Sequence, residues 1–435
     1  MMYYSTNNPA YKVNLQEAVI KSLAPDNGLF MPEKIPVLPP AFFSSLDEMT
    51  FAEIAFEVAH AFTGNDLPTG RLKKIIEHTI TFDAPLVEIE KNIYALELFH
   101  GPTLAFKDFG ARFMSQVLEY FAEQINREVI ILVATSGDTG SAVANGFLGV
   151  PGTKVIVLYP SGQVSEMQEK QFTTLGQNIT AIEVDGTFDD CQRLVKQAFL
   201  DEEVNKKFLL TSANSINLAR LIPQSFYYFY AWSRLAKRSG VVFSVPSGNF
   251  GNLTAGLLAK KMGLPILQFI AATNINDIVP NYLSNGIFSP KPSKATISNA
   301  MDVGNPNNFA RILDLFNHDH KAIQNEIWGC SFTDDETRVA MKEVFRESKY
   351  ILDPHGAVGY LGLKKFLSQN PKSAGVFFET AHPAKFIETV EATLQTKITI
   401  PQTLQQFLHG KKISIRSSAE FSSIKYHITK IAQSA

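Results

Sequence analysis

The chain has 435 residues, of which 45% are hydrophobic and 19% are charged, and its formal net charge is −2 at pH 7. This composition is typical of globular proteins, and the length allows two or three domains with buried cores. The chain has no basic run and no apolar stretch of bilayer length, which argues against a nucleic-acid-binding face and against a membrane span.

The two cysteines, Cys191 and Cys330, lie far apart in the sequence and have no CxxC partner. This argues against a disulfide framework or a zinc knuckle and favours a reducing compartment. The N-terminus shows no positively charged segment followed by an apolar run, so no signal peptide is predicted. We therefore expect a cytoplasmic protein without nucleic-acid or membrane partners, and the sequence leaves monomer and homodimer open.

Residues 1–80 mix turns with helical patterns, and nothing in them carries obvious chemistry. Apolar residues at helical spacing predict helices over residues 14–23 and 50–61. A proline-rich stretch at 32–40 is expected to be irregular. We predict an α-rich N-terminal segment.

Lys107 lies in an apolar segment that begins at Leu96 and includes the turn Gly101-Pro102. Apolar surroundings disfavour a charged amine, and a neutral lysine can form a Schiff base with an aldehyde such as pyridoxal phosphate. The alternative is a lysine that buries its stem and keeps its ammonium in water, which is common. This segment alone favours the second reading.

From residue 129 onwards, apolar strands alternate with glycine-containing loops and helices. Strands are predicted over 129–134, 154–159, 179–184, 241–245, 266–272 and 375–379. Helices are predicted over 142–148, 165–175, 188–199, 216–235, 253–262, 334–347, 358–367 and 383–394, and a long loop over 276–312. The alternation of buried strand and helix favours parallel, doubly wound sheets.

One strand-to-helix loop contains Ser136, Gly137, Asp138 and Thr139. Two hydroxyls and several N–H groups at a helix start could bind a carboxylate. Asp138 would repel such an anion, so it is more readily explained as a helix cap or as a hydrogen-bond acceptor.

A second such loop is formed by Gly248, Asn249, Phe250, Gly251 and Asn252. Glycines allow a tight turn that directs several N–H groups to one point, and the helix dipole adds a positive end, so a phosphate would bind well there. The alternative is a plain turn. The loop matches neither the Walker A sequence nor GxGxxG, so it carries no nicotinamide or flavin fingerprint.

Asn214 and Ser215 open a predicted helix, and Arg220 lies one to two turns further along. Arg220 could close over a phosphate with a charge-assisted pair of hydrogen bonds. An ordinary helix cap followed by a surface arginine is an equally good reading.

Histidines supply no convincing metal site. His318 and His320 flank a single aspartate in a polar stretch, and this spacing without a cysteine or glutamate motif favours a solvated loop. His355 and His382 lie in turns, where we expect structural roles. No metal site is predicted.

Five of these stretches, taken in order, resemble the threonine synthase family. They are 99–109, 134–140, 212–217, 246–252 and 380–386. The resemblance implies a fold-type-II pyridoxal-phosphate enzyme of the tryptophan-synthase-β fold group. Its α/β fold would have two doubly wound domains with mostly parallel sheets and an N-terminal segment. The expected boundaries are 1–80 for that segment, 81–112 with 238–435 for a large cofactor-binding domain, and 113–237 for a small domain that closes over the substrate.

The resemblance also implies an activity, in which O-phospho-L-homoserine loses phosphate from Cγ and gains water at Cβ, giving L-threonine. Lys107 would bind the cofactor covalently and then serve as the base. Gly248 to Asn252 would hold its phosphate, and Thr380 would bond to its pyridine nitrogen. The substrate carboxylate would be held by Ser136, Gly137 and Thr139, and the substrate phosphate by Asn214, Ser215 and Arg220.

Asp138 is a departure, because some relatives of the fold group carry asparagine there, next to the 3′-oxygen of the cofactor. If Asp138 faces that oxygen, one of the two must keep a proton. Two rival functions stay open: a dehydratase or β-replacement enzyme of the same fold group, and a non-catalytic protein that binds a phosphorylated metabolite.

Overall fold

The structure is a computed structural model that describes residues 1–433. The chain folds into two compact units. The first unit contains Met1, Met31–Phe106 and Leu221–Thr399. The second contains Met2–Phe30, Lys107–Arg220 and residues 400–433.

The strands within residues 1–433 are β1 (Tyr3–Ser5), β2 (Asn8–Val13), β3 (Phe30–Pro32), β4 (Leu86–Glu90), β5 (Ile93–Glu97), β6 (Val129–Ala134), β7 (Thr153–Pro160), β8 (Ile179–Asp185), β9 (Leu209–Ser212), β10 (Val241–Pro246), β11 (Gln268–Thr273), β12 (Ile327–Ser331), β13 (Ala374–Glu379) and β14 (Ile415–Ser418).

The α-helices over the same residues are α1 (Leu15–Lys21), α2 (Pro40–Ser45), α3 (Phe51–Thr63), α4 (Thr69–Thr79), α5 (Lys107–Ile125), α6 (Asp138–Phe147), α7 (Glu166–Thr173), α8 (Phe188–Leu200), α9 (Glu202–Lys207), α10 (Leu218–Leu221), α11 (Phe226–Arg234), α12 (Gly251–Lys261), α13 (Ile278–Asn285), α14 (Phe309–Leu315), α15 (His320–Glu326), α16 (Asp334–Ser348), α17 (Pro354–Gln369), α18 (Ile387–Leu394), α19 (Gln402–Leu408) and α20 (Phe421–Gln433). Short 3-10 helices cover Gly64–Asp66, Ile222–Ser225, Asn299–Met301 and Pro383–Phe386.

The first unit is built on a six-stranded sheet of order β12-β11-β10-β13-β5-β4. All of its pairings are parallel except β4 with β5 at one edge. Helix α17 approaches the sheet closely at its glycines, since a Cβ atom at Gly362 would lie 3.1 Å from both Ala272 Cβ and Cys330 Sγ. A larger residue there would push the helix from the sheet.

The second unit has a five-stranded, all-parallel sheet of order β14-β8-β7-β6-β9. All six residues of β6 are buried, as expected for a central parallel strand covered on both faces. The predicted α/β class with mostly parallel sheets is therefore confirmed.

The borders of the two units differ from the predicted domain boundaries. The segment from Ile400 belongs to the second unit, because β14 pairs with β8 and because Ile424 and Ile428 of α20 join its hydrophobic core. The N-terminal 80 residues are divided between the units. Residues 2–30 stay with the second unit, where Ser22 Oγ accepts from the Ser212 N–H at 2.9 Å.

Two of the predicted elements are replaced by other secondary structure. The helix predicted over 216–235 is interrupted, because Pro223 has no N–H to continue the helical bonds, and α10, a 3-10 turn and α11 replace it. The long loop predicted over 276–312 contains α13 and the start of α14. Over residues 1–433, no helix has the length and apolar character that crossing a bilayer requires.

Candidate active site

Lys107 is the first residue of α5, and its partner is a buried carboxylate. Its Nζ atom lies 3.6 Å from Oδ2 of Asp138, whose side chain is 4% exposed. The Nε2 atom of Gln168 donates to Asp138 Oδ1 at 2.9 Å and holds that carboxylate from the other side. The sequence predicted only apolar surroundings for Lys107, so the ion pair adds a charged contact to them.

The loop after β6 is organised by Thr135, which the sequence reasoning missed. Its Oγ1 atom accepts from the N–H groups of Gly137 and Gly140 at 2.9 and 2.8 Å, so these two donors are already used. The hydroxyl and N–H groups of Ser136 and Thr139 form no hydrogen bond to any residue that the structure describes. These four donors are the ones available to a carboxylate.

The backbone conformation of Gly137 explains why α6 begins at Asp138, four residues before the predicted start at 142. Gly137 has a φ of 139°, a conformation that side-chain-bearing residues rarely adopt, and the helix starts directly after it. A Cβ atom there would lie 2.5 Å from Cδ of Gln168. Gly137 therefore allows Gln168 to reach Asp138.

Asn214 and Arg220 lie at the end of the five-stranded sheet that also carries the loop after β6. Strands β6 and β9 are parallel neighbours, so the residues after each lie at one edge, and Asn214 Nδ2 donates to Ala134 O at 3.0 Å. Arg220 is buried, and its Nη1 donates to Ala213 O at 2.9 Å. Ser215 follows Asn214 and is partly exposed.

The Arg220 guanidinium packs directly on α5. A Cβ atom at Gly110 would lie 2.8 Å from Arg220 Nε, so this glycine makes room for the guanidinium. Burial lowers the pKa of Arg220 to about 10, and the negative charge of Asp108 opposes that shift. The sequence reasoning missed Asp108, which is 1% exposed; its place directly after Lys107 was the available signal.

In the first unit, the loop Gly248–Asn252 follows β10 and leads into α12. Phe250 has a left-handed φ of 59°, and Asn252 closes the loop because Ser247 Oγ donates to its Oδ1 at 2.5 Å. Phe250, Gly251 and Asn252 are buried, yet their N–H groups form no hydrogen bond within residues 1–433. Three successive buried donors at a helix start suit a phosphate group.

Thr380 lies at the same sheet edge as this loop, because β13 is the parallel neighbour of β10. Its carbonyl accepts from the N–H of Phe106, the residue before Lys107, at 2.9 Å, and Ala105 and Ala381 form a β-bridge. The Thr380 hydroxyl has no hydrogen-bond partner in the described part of the chain. It is therefore available to a ligand atom such as a pyridine nitrogen.

Three buried titratable groups lie behind Thr380. Asp353 Oδ1 lies 2.6 Å from His355 Nδ1, and the Asp353 N–H donates to Glu379 Oε2 at 3.2 Å. The Nε2 atom of His355 accepts from the Ala300 N–H at 3.2 Å, so the ring serves a structural role. Burial, followed by the negative charge of Asp353, raises the pKa of Glu379 well above its ordinary 4.5.

We expect Glu379→Gln to change how stability depends on pH. The folded protein keeps the Glu379 proton above pH 4.5, where the unfolded chain releases it. The protonated Glu379 contributes its full share to the free energy of unfolding below pH 4.5. This share falls by about 1.4 kcal/mol per pH unit as the pH rises from there towards the raised pKa of the folded state. Urea unfolding from pH 5 to 8 should show wild type losing stability relative to the glutamine variant. A constant difference between the two would contradict a protonated Glu379.

His320, the second histidine of the polar stretch, has a structural role. Asp319 caps α15 by accepting from the N–H groups of Lys321 and Ala322, and His320 Nε2 lies 2.9 Å from Tyr282 O. Among residues 1–433, no group of three or more His, Cys, Asp or Glu side chains is placed to hold a metal ion.

Three protein families match consecutive parts of the chain. "Threonine synthase N terminus" matches residues 2–80, "Pyridoxal-phosphate dependent enzyme" matches 76–378, and "Threonine synthase, C-terminal" matches 356–428. The chain is 45% identical to threonine synthase of Escherichia coli over 98% of both chains. It is 35% identical to threonine synthase of Saccharomyces cerevisiae over 94% of both.

Solved structures give the same result. The threonine synthase structure from Escherichia coli has a TM-score of 0.93 at 44% identity, covering 99% of this chain and 100% of that one. The pyridoxal-phosphate-bound threonine synthase structure from Brucella melitensis has a TM-score of 0.93 at 33% identity and covers both chains fully. A threonine deaminase from Solanum lycopersicum, at 16% identity and a TM-score of 0.56, shares the fold only.

Proposed function

This chain belongs to the threonine synthase family of pyridoxal-phosphate-dependent enzymes, and we propose that it converts O-phospho-L-homoserine and water to L-threonine and phosphate. One observation supports the proposed site most strongly. Lys107 pairs with Asp138, and the hydroxyls of Ser136 and Thr139 in the same loop have no hydrogen-bond partner within residues 1–433. A reactive amine next to a carboxylate-binding loop is what an amino-acid substrate requires.

The residues of the first unit fit the cofactor. The buried N–H groups of Phe250, Gly251 and Asn252 would hold its phosphate, with Gly248 and Asn249 shaping the loop. The Thr380 hydroxyl would bond to its pyridine nitrogen. A neutral hydroxyl there leaves the ring less fully protonated than a carboxylate would. When bound, the cofactor supplies an electron sink for the pair left at Cα.

The residues of the second unit would position the substrate and move its protons. Ser136 and Thr139 would hold the carboxylate, and Gly137, predicted as a third donor, would only shape the loop because its N–H already bonds to Thr135 Oγ1. Asn214, Ser215 and Arg220 would hold the phosphate. Lys107 would bind the cofactor covalently, and after release it would take the proton from Cα. In balance, protons leave Cα and Cβ, and the bond from Cγ to the phosphate oxygen breaks. One proton is then added at Cγ, the hydroxyl of water is added at Cβ, a proton returns to Cα, and the remaining proton of water goes to the released phosphate.

Asp138 would lie beside the 3′-oxygen of the cofactor, where it and that oxygen would share one proton. The hydrogen bond from Gln168 supports a carboxylate that is held in one orientation. Asp138 is then a cofactor-binding residue in addition to the first residue of α6.

The direct test is to incubate the purified protein with O-phospho-L-homoserine and to assay phosphate and threonine together. We expect the two products in a one-to-one ratio, with none from a Lys107→Ala control. Phosphate released without threonine would contradict the water-addition step and would indicate a different lyase.

We also propose that the enzyme is cytoplasmic and that it is a monomer or a homodimer. Light scattering coupled to gel filtration distinguishes the two assemblies, and a mass above the dimer would contradict both. Cell fractionation with an antibody against the protein tests the compartment.

A further inference from the structure

The largest fully buried side chain in the described part of the chain is the arginine Arg311, in the first unit. It lies in α14, within a stretch that the sequence predicted to be a loop. Burying a guanidinium is costly unless other groups compensate its charge, so such a residue has a specific reason to be there.

Arg311 is joined to the loop Gly248–Asn252 by a short chain of hydrogen bonds. Its Nη1 donates to Asn308 Oδ1 at 2.6 Å. The Asn308 N–H donates to Asn249 O at 3.3 Å, and the Asn307 N–H donates to Asn249 Oδ1 at 2.6 Å. Both oxygens of Asn249 therefore accept from residues 307 and 308, directly before α14, and neither oxygen needs to face an anion in the loop.

The segment just before α14 packs on another part of the same loop. A Cβ atom at Gly248 would lie 2.7 Å from Met301 Cα and 3.0 Å from Ala300 O. The loop therefore contacts residues 300–301 at Gly248 and residues 307–308 at Asn249. Its shape depends on these contacts as well as on its own glycines.

Arg311 also contributes charge. Burial lowers the pKa of Arg311 to about 9, with Asp314 opposing that shift, so the guanidinium stays positive at neutral pH. A charge in a water-poor interior acts on its neighbours more strongly than a surface charge, because little solvent screens it. A phosphate carries close to two negative charges at this pH.

We propose that Arg311 is a positioning residue for the cofactor phosphate, fixing Asn249 through Asn308 and placing a buried positive charge behind the phosphate loop. The inference rests on the proposed function, because it takes the loop's ligand to be the phosphate of pyridoxal phosphate. Arg311 acts through Asn308 and Asn249 and is distinct from the loop donors themselves.

The test compares two ligands that differ only in the phosphate. Apoenzyme is titrated with pyridoxal phosphate and with pyridoxal, and binding is followed by absorbance. Arg311→Met should weaken pyridoxal phosphate binding by about 10- to 100-fold, as expected for the loss of one charge-assisted interaction. Binding of pyridoxal, which has no phosphate to lose, should change less than about threefold, a factor within the usual range for a substitution that touches no ligand.

Arg311→Lys keeps a cation of similar length and should restore part of the affinity for pyridoxal phosphate. Arg338→Met is the matched control in the same unit, because Arg338 is only partly buried and its Nη1 donates to Thr393 Oγ1 at 2.9 Å. We expect it to leave both affinities unchanged. If Arg311→Met does not fold, Asn308→Ala removes the Oδ1 atom that accepts from Arg311 and keeps the Asn308 N–H, and it should show a smaller loss that is again selective for pyridoxal phosphate.

Equal weakening of both ligands by Arg311→Met or Asn308→Ala would overturn the inference, since a merely structural role affects both. Unchanged binding of pyridoxal phosphate would also overturn it. If wild-type apoenzyme binds no pyridoxal phosphate, the proposed function itself fails, and this result is distinguishable from either of the others.

Discussion

Lys107→Ala is expected to abolish turnover and the visible absorbance of the lysine-bound cofactor. The lysine would have two tasks, covalent attachment of the cofactor and removal of the Cα proton, and the variant can do neither. Loss of a positioned base alone typically lowers rates by about 10²–10⁴-fold. The measurements are the absorbance spectrum of the purified protein and the rate of phosphate release.

Lys385→Met is an instructive control for that experiment, because Lys385 is also buried, at 1% exposure. Its Nζ donates to Thr103 O at 2.8 Å, so we expect this lysine to support the segment before Lys107 without binding the cofactor. A folded Lys385→Met protein should keep the visible absorbance. Turnover by Lys107→Ala, or loss of absorbance in Lys385→Met alone, would show that the wrong lysine was assigned.

The fold class and the positions of six of the fourteen strands within residues 1–433 were predictable, because buried parallel strands are largely apolar. β6 is a continuous apolar run and β10 is apolar except for Ser244, and each is followed by a loop with glycines. Burial on both faces requires such runs, so the pattern is local in sequence. The threonine synthase family was predicted from five short motifs, most of which are loops, and the comparisons confirm it.

Features that depend on distant residues were not predictable in the same way. The pairing of β14 with β8 joins residues more than 200 positions apart through a strand of only four residues, which has no periodic signal of its own. The same holds for Gln168, which reaches Asp138 only because Gly137 leaves space for it. Arg311 was missed because the Asn- and Pro-rich composition around it suggested a loop.

The loop after β6 shows which hydrogen bonds a sequence motif alone does not reveal. Its hydroxyls and N–H groups were expected to bind one carboxylate together. Thr135 Oγ1, however, already accepts hydrogen bonds from two of the N–H groups. A threonine at the end of a strand is ordinary in sequence, and only the fold shows that it bonds forward into the loop. The available donors are therefore those of Ser136 and Thr139.

Arg220→Ala is expected to raise KM for O-phospho-L-homoserine by roughly 10²-fold, because loss of one partner of a buried, hydrogen-bonded charge pair costs about 2–5 kcal/mol. Arg220→Lys should have a KM between those of wild type and Arg220→Ala, since lysine keeps the charge without the planar pair of donors. Steady-state kinetics with phosphate release as the signal measures both variants. The visible spectrum of each serves as the control, because Arg220 is not a proposed cofactor ligand.

This substitution also separates the synthase from its nearest rival, a dehydratase or β-replacement enzyme with the same cofactor. Such an enzyme acts on a substrate without phosphate and has no use for a buried guanidinium at that point. The structure places Arg220 against Gly110 of the helix that begins at Lys107, and Asp108 of that helix opposes the fall in its pKa. An unchanged KM for the phosphorylated substrate would therefore count against the synthase, and faster turnover of serine or threonine by the wild type would favour the dehydratase.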